Sequence, residues 1–515
     1  MALQTSAGEP KLDTKDHESD HNDVQKDMSV DVADGEMQQE EDPALEKRVL
    51  RKLDGNLITL FCLLYLMSFL GQYLHTPSCS NTGPLTLRID RASIGNAALT
   101  TFTDDLNLEG NEYGAAVSVF YSTYIFFEPA WAVLLKILTP KYLMTSSTLA
   151  WAAVTVGTAF ITNFSQLATM RVLLGIAEAA IIPCITMYIT MVYNRNEYAV
   201  RKSYIQVSSA VSGAFGGLMA YGLTQINSGA LKGWQWMYLV EGILSFILVP
   251  VTFLWLPNAV ASATWLNAEE KAFMARRHYR NRGVYDESEK FRWSEIVRTL
   301  KDWKVYVQAC AHFGTNTTLY SVTTFMPRII AGLGFTTRVN SQLLTVPVYF
   351  TAGLSFYLLA RMADRRKQTS TFMMIALSFN AVGYILLLAI SHPGGRFFGL
   401  FVLSLGMYAA ASLNIVWCTT MHAGYFKRAF ASGLVQLVGN ASGAVIGFIF
   451  TTESGPRYMM GMYTALGLTV MSMCCAILLT VMLRRENARR RELVAQGAAD
   501  QPELGDMNPH FMYFP

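Results

Sequence analysis

The 515-residue sequence has little charge: Asp, Glu, Lys and Arg make up only 15% of it, whereas soluble globular chains contain roughly 25%. Its seven cysteines form no CxxC pair and no Cys/His ligand spacing, so the sequence indicates neither a disulfide framework nor a metal site. No nucleophile–base pairing or phosphate-cradling loop stands out, and we expect neither an enzyme nor a cofactor. The N-terminus lacks a basic region followed by an apolar one, which argues against a cleaved signal peptide.

Apolar residues are in excess, at 52% of the chain, and they are concentrated in long runs. Residues 1–46 are polar, and we expect them to form a disordered tail. Most of the later runs reach the ~20 residues that a membrane helix needs, which predicts an all-α membrane protein with twelve transmembrane helices. The runs cover residues 56–70, 113–135, 142–162, 167–192, 203–225, 236–257, 304–330, 342–362, 370–390, 397–421, 430–452 and 458–483.

Lys and Arg are concentrated in alternate loops, which predicts that both termini are cytoplasmic. Arg195, Arg201 and Lys202 are counted among these loop residues, between spans four and five. The basic residues occur only as short clusters of this kind, so we expect no nucleic-acid partner. A long charged loop separates six spans from six others, as two joined bundles require. The predicted organisation is an N-terminal six-helix bundle (47–257), a cytoplasmic linker (258–303), a C-terminal six-helix bundle (304–485) and a cytoplasmic tail (486–515).

Two charged residues, Arg171 and Glu178, lie in the fourth apolar run. Their spacing of seven residues is two helical turns, so both project from one helix face. A charge at bilayer depth costs roughly 2.5–3.5 kcal/mol and usually faces a cavity or a partner. Together with Asp90 and Arg91, the pair indicates a transporter with a polar centre. The alternatives are a static buried ion pair and, for Arg171, a position at the membrane boundary.

The runs DRASIGNAAL, RVLLGIAEA, GWQWMYLVEG, FKRAFASGLVQLVGNASG and PRYMMGM occur in this order along the chain. Together they resemble the major facilitator superfamily, and more narrowly the fungal allantoate-permease-like branch of its anion:cation symporter family. The resemblance implies the two-bundle major facilitator fold and proton-driven import of organic anions, vitamins or small nitrogenous compounds. It also implies that Asp90 and Glu178 couple protons, with Arg91 and Arg171 holding the charge of the substrate.

Further polar residues within the spans are candidates for lining a substrate cavity. His312, Asn316 and Tyr320 are spaced four apart and therefore share a helix face. For every member of the set the alternative is an interhelical hydrogen bond, and for Glu128 and Glu241 we expect structural pairing. The candidates are Gln206, His312, Asn316, Tyr320, Asn414, Gln436 and Asn440.

Residues 71–89 interrupt the first span with prolines, glycines and polar residues that a lipid-facing helix accommodates poorly. Removing these 19 residues joins LYLMSFL to DRASIGNAAL and restores the family pattern. We interpret the segment as a retained intron within span one; a genuine outer loop is the alternative.

The sequence as a whole predicts a monomeric, multi-pass plasma-membrane carrier that couples protons to uptake of a small organic anion by alternating access. Two other functions stay open: an exporter of an anionic fungal metabolite, and a nutrient sensor in a transporter fold. The sequence does not identify the substrate.

Overall fold

The computed structural model describes residues 43–74, 102–108, 112–224, 231–280, 289–331, 333, 344–450 and 458–514. The predicted disorder of the N-terminal tail concerns residues that lie almost wholly outside these ranges. Asp90, Arg91 and most of the segment 71–89 also lie outside them.

The described residues form twelve long helices, which we number α1–α12 and which follow the predicted apolar runs. By length and apolar composition alone, seven helices in this part of the chain are able to cross a membrane. The helices are α1 (Thr59–Leu74), α2 (Glu112–Leu138), α3 (Pro140–Thr158), α4 (Phe164–Glu178 and Ile181–Val192), α5 (Tyr198–Thr224), α6 (Gly233–Trp255), α7 (Trp303–Ala331), α8 (Thr345–Arg366), α9 (Thr369–Ala389), α10 (Pro393–Met421), α11 (Tyr425–Ile449) and α12 (Met459–Ala495).

Shorter helices lie around the twelve. Pro43–Leu53 leads into α1 through a π-helical turn, Asp54–Ile58, and Phe102–Asp105 precedes α2. Ala268–Arg280 and Trp293–Lys301 lie between α6 and α7. Glu270, in the first of these linker helices, accepts hydrogen bonds from Arg48 Nε at 3.0 Å and from Lys52 Nζ at 2.9 Å. The linker is thereby tied to the helix that precedes α1.

Helix α4 was predicted as one span, but the structure divides it between Glu178 and Ile181. Pro183 explains the division, because it has no N–H with which to continue the helical hydrogen bonds to Ala179. Glu178 is consequently the last residue of the first segment, beside a break in the helix.

The turns that follow α2 and α8 each contain a residue with positive φ. The α2–α3 turn places Thr139 at φ 63°, and the α8–α9 turn places Lys367 at φ 54°. Both are non-glycine residues with positive φ, which is uncommon. These turns lie in the segments LLKILTPK and ARMADRRK, which occupy corresponding places in the two halves of the chain.

Helices α1–α6 and α7–α12 face each other along two principal contacts, α2 against α11 and α5 against α8. The first contact is close: a Cβ on Gly433 of α11 would lie 2.6 Å from Pro129 Cα of α2. We call one end of the bundles the terminal end. It carries the helix Pro43–Leu53, the turns at Thr139, Lys367 and Gly424, the loop 193–197 and residues 499–514.

Candidate functional site

A cavity of about 150 Å³ lies between the two halves of the chain. Both halves contribute to its wall, as expected for a site at the interface of repeated bundles. Much of the wall is aromatic, and these rings provide flat surfaces against which a planar molecule can pack. The aromatic residues are Tyr65, Phe69, Phe120, Tyr121, Tyr124, Tyr320 and Tyr408.

Lys202 of α5 lines this cavity and is buried. Its Nζ donates a 2.9 Å hydrogen bond to Thr186 Oγ1 of α4. The prediction that Lys202 lies in a cytoplasmic loop is wrong: α5 begins at Tyr198, and Lys202 lies inside the helix. The neighbouring Arg201 points elsewhere and binds Asp54, with its Nε 2.9 Å from Oδ1.

The position of Lys202 could have been found from helical spacing. Lys202, Gln206 and Ser209 are separated by four and then three residues, so they share one face of α5. All three line the cavity. Gln206 is held by a neighbouring helix, since Tyr65 of α1 donates a 3.0 Å hydrogen bond from its hydroxyl to Gln206 Oε1.

The predicted polar residues of α7 and α11 form two hydrogen-bonded groups on the other wall, and Glu128 of α2 joins them into one network. His312 Nε2 lies 2.6 Å from Gln436 Oε1. Tyr320 donates to Asn440 Oδ1 at 2.8 Å, and Asn316 Nδ2 donates to the same oxygen at 3.4 Å. The two helices approach closely at Gly439, where a Cβ would lie 2.2 Å from His312 Cδ2. The structure thus brings these five predicted residues together.

Glu128 of α2 connects this network to the N-terminal half. It is fully buried, and it accepts hydrogen bonds from Asn440 Nδ2 at 2.7 Å and from Gln436 Nε2 at 3.4 Å. Lys202 is within electrostatic range of Glu128. The carboxylate therefore lies between an amide pair of one bundle and a cation of its own bundle.

Glu178 is also buried and accepts a 2.6 Å hydrogen bond from Ser68 Oγ of α1. It is not among the residues that line the cavity, but Tyr124, which does line it, is within electrostatic range of both Glu178 and Glu128. The two carboxylates thus approach one aromatic side chain of the cavity wall.

Two other predicted residues lie away from the cavity wall. Arg171 donates a 3.3 Å hydrogen bond from Nη2 to the Tyr238 hydroxyl, which joins α4 to α6 within one bundle. Asn414 exchanges hydrogen bonds with Gln308 of α7, including a 2.8 Å bond from Gln308 Nε2 to the Asn414 carbonyl oxygen. Asp90 and Arg91, predicted to share the site, lie outside the described residues.

The two halves also touch on the terminal side of the cavity. Asp364 of α8 accepts hydrogen bonds from the backbone N–H groups of Val200 at 2.8 Å and Ala199 at 3.3 Å, at the start of α5. The Tyr425 hydroxyl of α11 donates to the carbonyl oxygen of Ala132 of α2 at 2.7 Å. These contacts join the two halves at the terminal end.

Comparison with known proteins agrees with this architecture. The model of the Major Facilitator Superfamily matches residues 82–448. The chain is 35% identical over 475 residues to the high-affinity nicotinic acid transporter of Saccharomyces cerevisiae, covering 91% of this chain and 85% of that protein. It is 28% identical over 486 residues to the major facilitator-type transporter hxnP of Emericella nidulans, covering 92% and 94%.

Among solved structures, the E. coli fucose:proton symporter FucP is similar, with a TM-score of 0.56 at 12% identity, over 82% of this chain and 98% of that one. This similarity supports the fold. The relatives are transporters and not enzymes, and the twelve-helix prediction is confirmed. The chain belongs to the major facilitator superfamily of multi-pass membrane transporters.

Proposed function

We propose that this protein is a proton-coupled carrier that takes up a small planar aromatic monocarboxylate, of the class of nicotinate, by alternating access. The observation that carries the proposal is the position of Lys202, a buried cation in a cavity with aromatic walls. The relative from Saccharomyces cerevisiae is named for nicotinic acid, which is such a molecule.

A buried ammonium group is stable only when a negative charge or several acceptors offset its loss of hydration. Thr186 supplies one acceptor, and Glu128 supplies a negative charge at longer range. A carboxylate that enters the cavity would give Lys202 a direct partner, and its ring would pack against tyrosine and phenylalanine faces. A neutral analogue would leave the cation without that partner.

Proton coupling is assigned to buried carboxylates. Glu128 is the first candidate, because a substrate anion on Lys202 adds negative charge near it and so favours its protonation. Protonation would weaken the hydrogen bonds that Glu128 accepts from α11, and with them one contact between the bundles. Glu178 and Asp90 stay candidates by resemblance, with Arg91 as a substrate contact. We propose that Arg171 positions α4 against α6.

The protein is proposed to be a plasma-membrane monomer, and the loop charges favour both termini in the cytoplasm. The terminal end is then the cytoplasmic side, and the contacts of Asp364 and Tyr425 describe a carrier that is closed toward the cytoplasm. The proposed division is residues 47–257 and 304–485 as bundles, with 258–303 between them.

Uptake of labelled nicotinate in yeast that lacks its own nicotinate carrier tests this function. The matched probe is labelled nicotinamide, which keeps the ring and replaces the carboxylate with a neutral amide. We expect accumulation of the acid and not of the amide, faster at acidic external pH and abolished by a protonophore. Equal uptake of acid and amide would overturn the assignment to a carboxylate; accumulation that resists the protonophore would overturn proton coupling.

A further inference from the structure

The segment that follows α12, residues 499–514, is folded against the terminal end; we call it the C-terminal tail. Its main anchor is Asp506, which lies 2.8 Å from Lys427 Nζ and 3.2 Å from Lys304 Nζ. Asp506, Lys304 and Lys427 are all largely buried. Charge-assisted contacts of this kind are stronger than neutral hydrogen bonds, so the tail is firmly attached to the C-terminal bundle.

Backbone contacts shape the rest of the tail. Arg490 of α12 donates to the carbonyl oxygens of Phe511 at 2.6 Å and Asp506 at 2.9 Å. Trp417 Nε1 of α10 donates to the Phe514 carbonyl oxygen at 3.0 Å. These bonds hold the backbone of Phe511 and Phe514 against the C-terminal bundle.

The two rings contact the other bundle. The guanidinium carbon of Arg195, in the α4–α5 loop, lies 4.3 Å from the centre of the Phe511 ring and 5.6 Å from that of Phe514. Among the described residues, Arg195 Nε and Nη2 are buried and have no hydrogen-bond partner. The two rings attract this cation. At longer range Arg428 repels it, while Tyr198 and Asp506 favour its charge.

Arg195 is four residues before Ala199 and five before Val200. The backbone N–H groups of these two residues bind Asp364 across the bundle boundary. The tail thus adds a second connection between the bundles beside the α5–α8 contact. Opening the carrier at the terminal end would move the α4–α5 loop away from the C-terminal bundle, and with it from a tail that Asp506 anchors there.

From these contacts we infer that the C-terminal tail is a latch: it holds the terminal end closed and must release Arg195 from Phe511 and Phe514 before the carrier opens on that side. The inference rests on the proposed alternating access but not on the identity of the substrate. Deletion or covalent modification of the tail would shift the carrier toward the state that is open at the terminal end.

Hydrogen exchange of the purified full-length protein, without substrate, tests the latch. The variants are the double substitution Phe511→Ala/Phe514→Ala, which removes the rings, and Asp506→Asn, which weakens the anchor. Met507→Ala is the control, because this tail residue is 65% exposed. The reporters are the N–H groups of Ala199 and Val200, and a peptide from the terminal half of α8.

Because each ring contributes a modest cation–π attraction, we expect exchange at both reporters to accelerate about fivefold in the ring variant. Asp506→Asn should do the same, and Met507→Ala should match the unmodified protein. Unchanged exchange at Ala199 and Val200 would overturn the latch, as would acceleration confined to residues 193–200 with α8 unaffected. A carrier that fails to take up nicotinate still gives this readout, so the two proposals fail separately.

Discussion

Glu128 of α2 and Asn440 of α11 are 312 residues apart in the chain and are joined by a 2.7 Å hydrogen bond across the boundary between the bundles. The bond lies where the cavity wall of one half meets the other. A change in the protonation of Glu128 would therefore act directly on the contact between the bundles, which is what a coupled carrier requires.

We predict that Glu128→Gln abolishes uphill accumulation of nicotinate and preserves exchange. The amide keeps the shape of the side chain but cannot carry the proton, so the coupling is lost while substrate can still cross. The measurement compares the accumulation ratio with counterflow in preloaded cells. Glu269→Gln, at a side chain that is 68% exposed, is the control. Full accumulation by Glu128→Gln would show that another carboxylate couples the protons.

The same experiment with Glu178→Gln decides between the two described carboxylates. If Glu178 couples protons, as the family resemblance implies, its glutamine variant also loses accumulation and keeps exchange. If Glu178 serves only to accept the Ser68 hydrogen bond, glutamine can replace it and accumulation persists.

We predict that Gly433→Ala destabilises the closed contact between α2 and α11. The added methyl group would meet Pro129 Cα at 2.6 Å, and overpacking of this kind costs about 1–3 kcal/mol. Gly467→Ala of α12 is the matched control, since no atom lies within 4 Å of its Cβ position. Thermal unfolding of the purified variants checks this. Equal melting temperatures would show that α2 and α11 accommodate the methyl group with no loss of stability.

Docking of the C-terminal tail should not depend on pH in the physiological range. Burial alone would raise the pKa of Asp506, but Lys304 and Lys427 outweigh it and lower the pKa from 3.8 to about 2. A carboxylate whose pKa is lower in the docked tail stabilises docking at pH values above its ordinary pKa. That stabilisation is lost as the pH falls through the pKa of the docked state. The affected window is therefore about pH 4 to 2.

Hydrogen exchange of the tail, corrected for intrinsic rates, should accordingly show constant protection from about pH 8 to 5. Asp506→Asn should reduce that protection at every pH. A midpoint between pH 5 and 8 would mean that a different group controls docking.

The segment 71–89 gives a prediction about the message as well as the protein. We expect reverse-transcribed message to include a form that lacks these 19 codons, and expect the protein without them to transport while the full chain does not. The physical reason is that Asp90 and Arg91 rejoin the first half of span one when the segment is removed. Only full-length message, with transport by the full chain, would contradict it.

Much of the fold could be predicted from the sequence, because membrane helices are long apolar runs and the runs of this chain are well separated. The α7–α11 cluster was predictable in part: the four-residue spacing of His312, Asn316 and Tyr320 placed them on one face, but it did not say which helix they met. That α11 supplies Gln436 and Asn440 depends on long-range packing, which spacing does not encode.

The errors have local causes. Lys202 was assigned to a loop because it follows Arg201 directly before the fifth apolar run (203–225). Only helical spacing shows that the two side chains project in different directions. The break in α4 was missed because the run 167–192 is long and apolar enough to form one continuous helix, although Pro183 marked the break. The cross-bundle partners of Glu128 could not be predicted, since one sequence gives no information on contacts between residues so far apart in the chain.

Binding of labelled nicotinate to purified Lys202→Met tests the central claim most directly. Methionine keeps the length and apolar stem of lysine but removes the charge, which should weaken binding by about 1.5–3 kcal/mol, or roughly tenfold to a hundredfold. Lys301→Met, on the exposed face of the linker, should bind like the unmodified protein. Unchanged affinity in Lys202→Met would contradict a carboxylate held at the cation of this cavity.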